Sequence, residues 1–162
     1  MAEYILKREL TVDAPRDRVF EFFSNAANLE RITPAELNFH ITTPQPIEMR
    51  EGALIGYDLS LYGFQLRWKT LISKWDPPNE FVDEQLSGPY KQWIHRHTFT
   101  EVSPSRTLIG DEVRYRLPVE PLGDLANFLV ARQLNNIFDH RQKVVEEYFG
   151  SRVGSISQNG KR

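Results

Sequence analysis

The chain contains no cysteine, which excludes a disulfide framework, a thiol nucleophile and a thiolate metal site, and fits a reducing compartment. It has no apolar run approaching the ~18 residues of a membrane span, and its opening MAEYILKREL lacks the apolar core of an export signal. A cytoplasmic protein without stable membrane insertion is therefore expected. The net charge is only −2 and Lys and Arg form no dense cluster before the tail, so the footprint of a nucleic-acid binder is missing. Gly-rich phosphate loops, a G-x-S-x-G elbow and internal repeats are also missing, and no cofactor is expected.

What the chain does have is a long amphipathic stretch near its C-terminus. From Leu122 to Gly150 apolar residues recur at three- and four-residue steps, which is helical spacing. Pro121 suits a first turn and Gly150 a last one. At about 1.5 Å per residue this is a rod of roughly 40 Å, and it needs a wide surface to lie on. Its apolar face is not constant. Leu122, Leu125, Ala126 and Leu129 form one stripe, but from Leu134 onward the apolar set is rotated, and Gln133, Asn136 and His140 continue the first stripe. Either the far half of the helix meets a different part of its support, or this polar row looks into a cavity.

Upstream, Tyr4 to Asp13 alternates as a half-buried strand should. Ala14-Pro15 then opens a short helix with Val19, Phe20, Phe22 and Phe23 on its apolar face, and a second short helix runs up to Thr33-Pro34. Asn38 to Thr43 is a weak strand. Ala53–Tyr62, Phe64–Trp75, Phe81–Leu86, Tyr90–Val102 and Thr107–Leu117 are clear ones, separated by turn residues at Gly63, Asp76-Pro77-Pro78-Asn79, Ser87-Gly88-Pro89 and Ser103-Pro104-Ser105. Short turns between consecutive strands imply an antiparallel meander, and the whole an α+β fold over residues 1–150. Residues 151–162 have no periodicity and little to bury, and read as a disordered tail.

The segment richest in chemistry is Trp93-Ile94-His95-Arg96-His97-Thr98-Phe99. Alternation puts Trp93, His95, His97 and Phe99 on one face, which should point inward. A turn at Ser103-Pro104-Ser105 that sets Phe99 opposite Thr107 would place His97 against Ile109, His95 against Asp111 and Trp93 against Val113, with Tyr115 further along. His95 and Asp111 then form either a satisfied core pair or the polar end of an aromatic cavity lined by Trp68, Trp93 and Tyr115 and covered by Leu125, Leu129 and Gln133. His-x-His puts two imidazoles on one face, but two ligands, or three with Asp111, fall short of the usual four for zinc, and no metal is expected.

With this element order and these residues in view, the chain resembles the START-like, Bet v 1-type (SRPBCC) superfamily, which includes polyketide cyclase/dehydrase and lipid-transport proteins. The resemblance covers residues 3 to 149. It rests on the first strand and DAPRDRVFEFFSNAANLERITP, on WKTLISKWDPPNEF, on GPYKQWIHRHTF, on TLIGDEVRYRLP and on the closing helix. It implies a helix-grip: a curved seven-stranded antiparallel β-sheet wrapped around the C-terminal helix, with two short helices after the first strand. The function it implies is binding of a hydrophobic or amphipathic small molecule between sheet and helix. The alternative is a cyclase or dehydratase in which Asp111 orients His95 as acid/base. Fold alone does not choose between them.

Overall fold

The computed structural model describes residues 2–118 and 123–150. Strand β1 (Tyr4–Val12) is followed by helices α1 (Arg16–Ser24) and α2 (Ala27–Ile32), a 3-10 turn at Ala35–Leu37 and the two-residue strand β2 (His40–Ile41). Then come β3 (Leu54–Leu61), β4 (Phe64–Asp76), β5 (Glu80–Ser87), β6 (Gln92–Ser103), β7 (Arg106–Arg116) and helix α3 (Gly123–Gly150). The strands make one curved seven-stranded antiparallel sheet in the order β1-β7-β6-β5-β4-β3-β2. The expected helix-grip is present: first strand pairs with last, and α3 lies across the concave face. Pro121 and the tail from 151 to 162, for which a helix start and disorder are expected, lie outside the described residues.

Local chemistry explains the joints. The β3–β4 connection is a two-residue loop in which Tyr62 (φ 50°) and Gly63 (φ 81°) are both left-handed, the turn whose twist matches that of the flanking strands. Register shifts between Lys69 and Thr70 and between Ile72 and Lys74 interrupt the β4–β5 ladder, and such irregularities bend a sheet locally. Arg8, inside the apolar stripe of β1, reaches α3 and donates to Asp139 Oδ1 at 2.6 Å and Asn135 Oδ1 at 2.7 Å. It ties the first strand to the last helix.

The β6–β7 register corrects one expectation. Phe99 pairs with Ile109, His97 with Asp111, His95 with Val113 and Trp93 with Tyr115, a slip of two residues from the pairing expected from the turn. The turn falls at Pro104-Ser105, with Ser103 pairing Arg106, and an irregularity between Glu101 and Ser103 then shifts the ladder by one residue, which returns the inward side chains to their face. A two-residue slip keeps every side chain on its face, so the inward set is unchanged.

The helix corrects another. Leu134, Phe138, Arg141, Val145 and Phe149 are buried, whereas Leu125 and Leu129 are 67% and 50% exposed. Continued back at 100° per residue, the buried face passes through Val130 and Asn127, and Asn127 Oδ1 accepts a hydrogen bond from the Tyr115 hydroxyl at 3.0 Å. The helix therefore keeps one face to the sheet, and Leu125 and Leu129 lie on the other. Among the described residues no helix is long and apolar enough to cross a membrane.

Candidate functional site

A cavity of about 170 Å³ lies between the sheet and α3. Its walls are mostly apolar: Phe39, Tyr57, Leu59, Trp68, Tyr90 and Trp93 from one side, Leu134, Ile137 and Phe138 from α3, and Ala26, Leu29 and Ile32 from the α1–α2 end. The rings interlock. Trp68 and Trp93 meet edge to face at 5.3 Å, and Tyr57 stacks on Trp68 at 5.7 Å, geometries that aromatic quadrupoles favour.

Of the expected site residues, Trp68, Trp93, His95 and Gln133 border this cavity. Asp111 and Tyr115 do not: Asp111 lies directly behind His95, and Tyr115 is buried in the aromatic cluster beside Trp93. Leu125 and Leu129 are exposed and away from it. Of the polar row on the helix only Gln133 borders the cavity, while Asn136 is exposed.

The polar floor is larger than sequence reasoning found. His95 and His97 stack at 3.7 Å between centroids. His95 Nε2 is 2.7 Å from Asp111 Oδ1, and His97 Nε2 is 2.6 Å from Asp83 Oδ2. Arg141, from α3, donates to Asp111 Oδ1 at 3.0 Å and rests on the rings of Phe23 and Phe138. Asp83 and Arg141 are missed outright, and His97, expected only to face inward, joins the floor. Both left a signal: Asp83 is two residues from Phe81 on the same strand face, and Arg141 sits on the apolar stripe three residues after Phe138 and four before Val145.

Electrostatics divide the two histidines. Burial and the neighbouring His97 push His95 down to about 4, against the pull of Asp111 and Asp83. Burial also opposes charge on His97, yet its hydrogen bonds to Asp111 and Asp83 prevail and raise it above the usual range. Burial would raise both carboxyls, but Asp111 is held well below its ordinary value by Arg141 and the histidines, and Asp83 is lowered by His97, His95 and Arg141. The floor thus sets two carboxylates against one guanidinium and two imidazoles, of which burial disfavours charge on His95 while the carboxylates favour it on His97. Arg141 Nη2 also lies 3.3 Å from His97 Nδ1, where it donates to the neutral ring. The same Nδ1 is 3.5 Å from Asp111 Oδ1, which faces it when the ring is charged.

Donor atoms of Asp83, His95 and His97 lie within 4.8 Å of one another, the set best placed to hold a cation. The third ligand is thus Asp83 rather than Asp111. Bonds of about 2.0–2.1 Å at tetrahedral angles separate ligand atoms by roughly 3.3 Å, whereas His97 and Asp83 sit at 2.6 Å. That spacing is a hydrogen bond's, and the guanidinium nearby already supplies positive charge.

No family model matches the chain, and no curated protein does. Solved structures match over nearly its whole length. The Zhui aromatase/cyclase from Streptomyces sp. R1128 is 15% identical with a TM-score of 0.75, covering 96% of this chain and 99% of that one. The protein TTHA0849 from Thermus thermophilus is 17% identical with a TM-score of 0.73, covering 91% and 98%. A START superfamily protein from Mycobacterium smegmatis is 14% identical with a TM-score of 0.67, covering 92% and 99%. The chain has the START-like, Bet v 1-type fold. At these identities the likeness concerns the fold. In this START-like chain the concave sheet face and α3 are the walls of the cavity, and the His/Asp/Arg floor is built from β5, β6, β7 and α3.

Proposed function

We propose that this protein binds a hydrophobic or amphipathic small molecule in the cavity between the sheet and α3. The observation that carries the reading is an aromatic-walled cavity with a polar floor of Asp83, His95, His97 and Arg141, the combination of apolar walls and few placed polar groups by which small-molecule sites hold and orient a ligand. A volume of about 170 Å³ is below the common pocket range of roughly 300–1,000 Å³ and just above a cavity of about 150 Å³ that takes benzene, so the buried part of the ligand is one or two rings. Fold likeness to an aromatase/cyclase and to a START superfamily protein is in keeping with such a ligand.

The test is titration with a neutral naphthalene dye whose emission rises on leaving water. The parent should bind it, and Trp93→Ala should bind it about tenfold more weakly through lost ring contact. If the parent leaves the dye's emission unchanged, or Trp93→Ala binds as the parent does, the reading fails.

One observation favours a second reading. Asp111 holds His95, which borders the cavity, by Nε2 at 2.7 Å, the way a carboxylate orients an acid/base imidazole. A dehydratase or cyclase would then turn over a hydroxyketone with loss of water, and His95→Gln would abolish turnover while leaving dye binding intact.

A further inference from the structure

Outside the cavity, large apolar side chains gather where the β3–β4 hairpin meets the outer face of α3. At the hairpin tip Tyr62 and Phe64 are 66% and 72% exposed, and on the helix Leu125, Phe128 and Leu129 are 67%, 61% and 50% exposed. Steps of three and four residues put the last three on one helix face. The Tyr62 hydroxyl donates to the Leu129 carbonyl at 3.5 Å, which sets the tip against that face and makes the patch continuous. Aromatic side chains present roughly 150–250 Å² each and leucine somewhat less, so the five leave about 600 Å² of mainly apolar surface in water. That is the upper end of the roughly 300–600 Å² that a monomer ordinarily shows in one patch.

The charge pattern narrows what could cover it. Residues 59–66 and 125–131 contain no Asp, Glu, Lys or Arg, the depletion of charge found at the centre of protein–protein contacts. A lipid surface calls for a band of cations beside the apolar face. Here the exposed charges further along α3, Arg132, Asp139, Lys143, Glu146 and Glu147, are mixed in sign.

The strand that leads into the patch is also open at its edge. β2 pairs with β3 only at Tyr57 and Asp58, so among the described residues no strand lies beside residues 59–61. An open edge offers N–H and C=O groups to another strand. An identical edge meets them in antiparallel order about a two-fold axis, the commonest symmetry of homo-oligomers. Two such patches face to face bury about 1,200 Å², the lower bound of a specific interface.

We propose that this face docks a second copy of the chain, β3 edge beside β3 edge, with Phe64 and Phe128 at the centre of the contact. An area at that lower bound makes a weak dimer, with a Kd of about 10–100 µM. The chain is then largely monomeric at the roughly 1 µM of an unfolding titration.

Sedimentation equilibrium of the full chain from about 1 to 500 µM should follow a monomer–dimer equilibrium. Phe64→Asp and Phe128→Asp, both at exposed positions, should each weaken it about tenfold or more and leave Tm at low concentration unchanged. Should one of them fail to fold, the other still decides. Because the chain has no cysteine, Ser60→Cys places a single thiol at the open edge. A short bismaleimide should join two copies of that variant at high concentration and not at low. A monomer at the highest concentration overturns the proposal, and so does a dimer that survives the Asp substitutions or gives no cross-link. Flotation of the parent with neutral phosphatidylcholine vesicles, lost in the Asp variants, would assign the face to a lipid surface and overturn it as well.

Discussion

Phe99 and Trp93 stand six residues apart on the same face of β6, and they sit in regions built on opposite rules. Around Phe99 the rings of Phe20, Phe23 and Phe81 pack at centroid distances of 5.3, 5.5 and 6.1 Å, and Val19, Ile109, Val145 and Phe149 complete the cluster. None of these rings carries a polar atom, so close packing alone satisfies them. Around Trp93 the neighbours are Trp68, Tyr90, His95 and Tyr115. Each has an N–H, O–H or ring nitrogen that must find a partner, and close-packing such rings without one is costly. Phe99 and Phe20 are packed away from the cavity, with Phe23 and Phe81 between them and it, whereas Trp93 is one of its walls.

The sharpest way to break that comparison is to truncate both residues. Phe99→Ala should cost about 3–5 kcal/mol, because it removes buried area and leaves a new void. Trp93→Ala should cost roughly half as much despite the larger ring, since the gap joins a cavity that exists already. Urea unfolding measures both, and equal losses would mean that the two ends are packed alike.

Next in size is the pH response of the polar floor between the two ends. His95 titrates near 6.5 when unfolded and near 4 when folded, so its contribution to stability is present above about 6.5 and lost as pH falls toward 4. The loss is on the order of 3 kcal/mol. His97 has the opposite sign: its folded value is raised, so its contribution is full below about 6.5 and fades as pH climbs through the folded value. Stability should therefore peak between the two, near pH 6.5. Denaturant titrations across pH 4 to 8 test this, and His95→Gln should flatten the acid limb only. An unchanged acid limb in that variant would show that His95 is not the group responsible.

Smaller effects are expected on the outer face of α3. Leu125→Ser and Leu129→Ser should each shift stability by no more than about 0.5 kcal/mol, as exposed substitutions usually do. A larger loss would place these residues in contact with something in solution. Smallest of all is metal removal. Protein purified without a metal-binding tag should hold well under one equivalent of zinc, and a chelator should leave Tm unchanged, because the Asp83–His97 contact is a hydrogen bond rather than a ligand spacing. Stoichiometric zinc lost on His97→Ala would overturn that.

The element order, the antiparallel meander and the inward face of β6 were all legible in the chain, because turns are written in local residue chemistry and alternation is a property of neighbours. The candidate site was only half legible. Trp68, Trp93 and His95 announce themselves as aromatic and imidazole side chains on inward positions, whereas Asp83 and Arg141 are charged residues on apolar faces that ordinary patterning assigns to solvent. Their burial is offset by partners that the fold supplies, His97 for Asp83 and Asp111 for Arg141.

By itself the sequence determined periodicity: which residues share a face of each strand, and that the last helix carries two apolar stripes. Tertiary structure decided the two matters that periodicity leaves degenerate. Sliding β6 against β7 by two residues preserves every face, so the hydrophobic pattern does not choose between the two registers; the turn at Pro104-Ser105 together with the one-residue shift between Glu101 and Ser103 does. Both stripes of α3 are apolar enough to bury, and the concave sheet accepts one. It took the stripe through Leu134, Phe138 and Val145, the one that also brings Arg141 to Asp111, where the guanidinium offsets a carboxylate that would otherwise be buried unpaired.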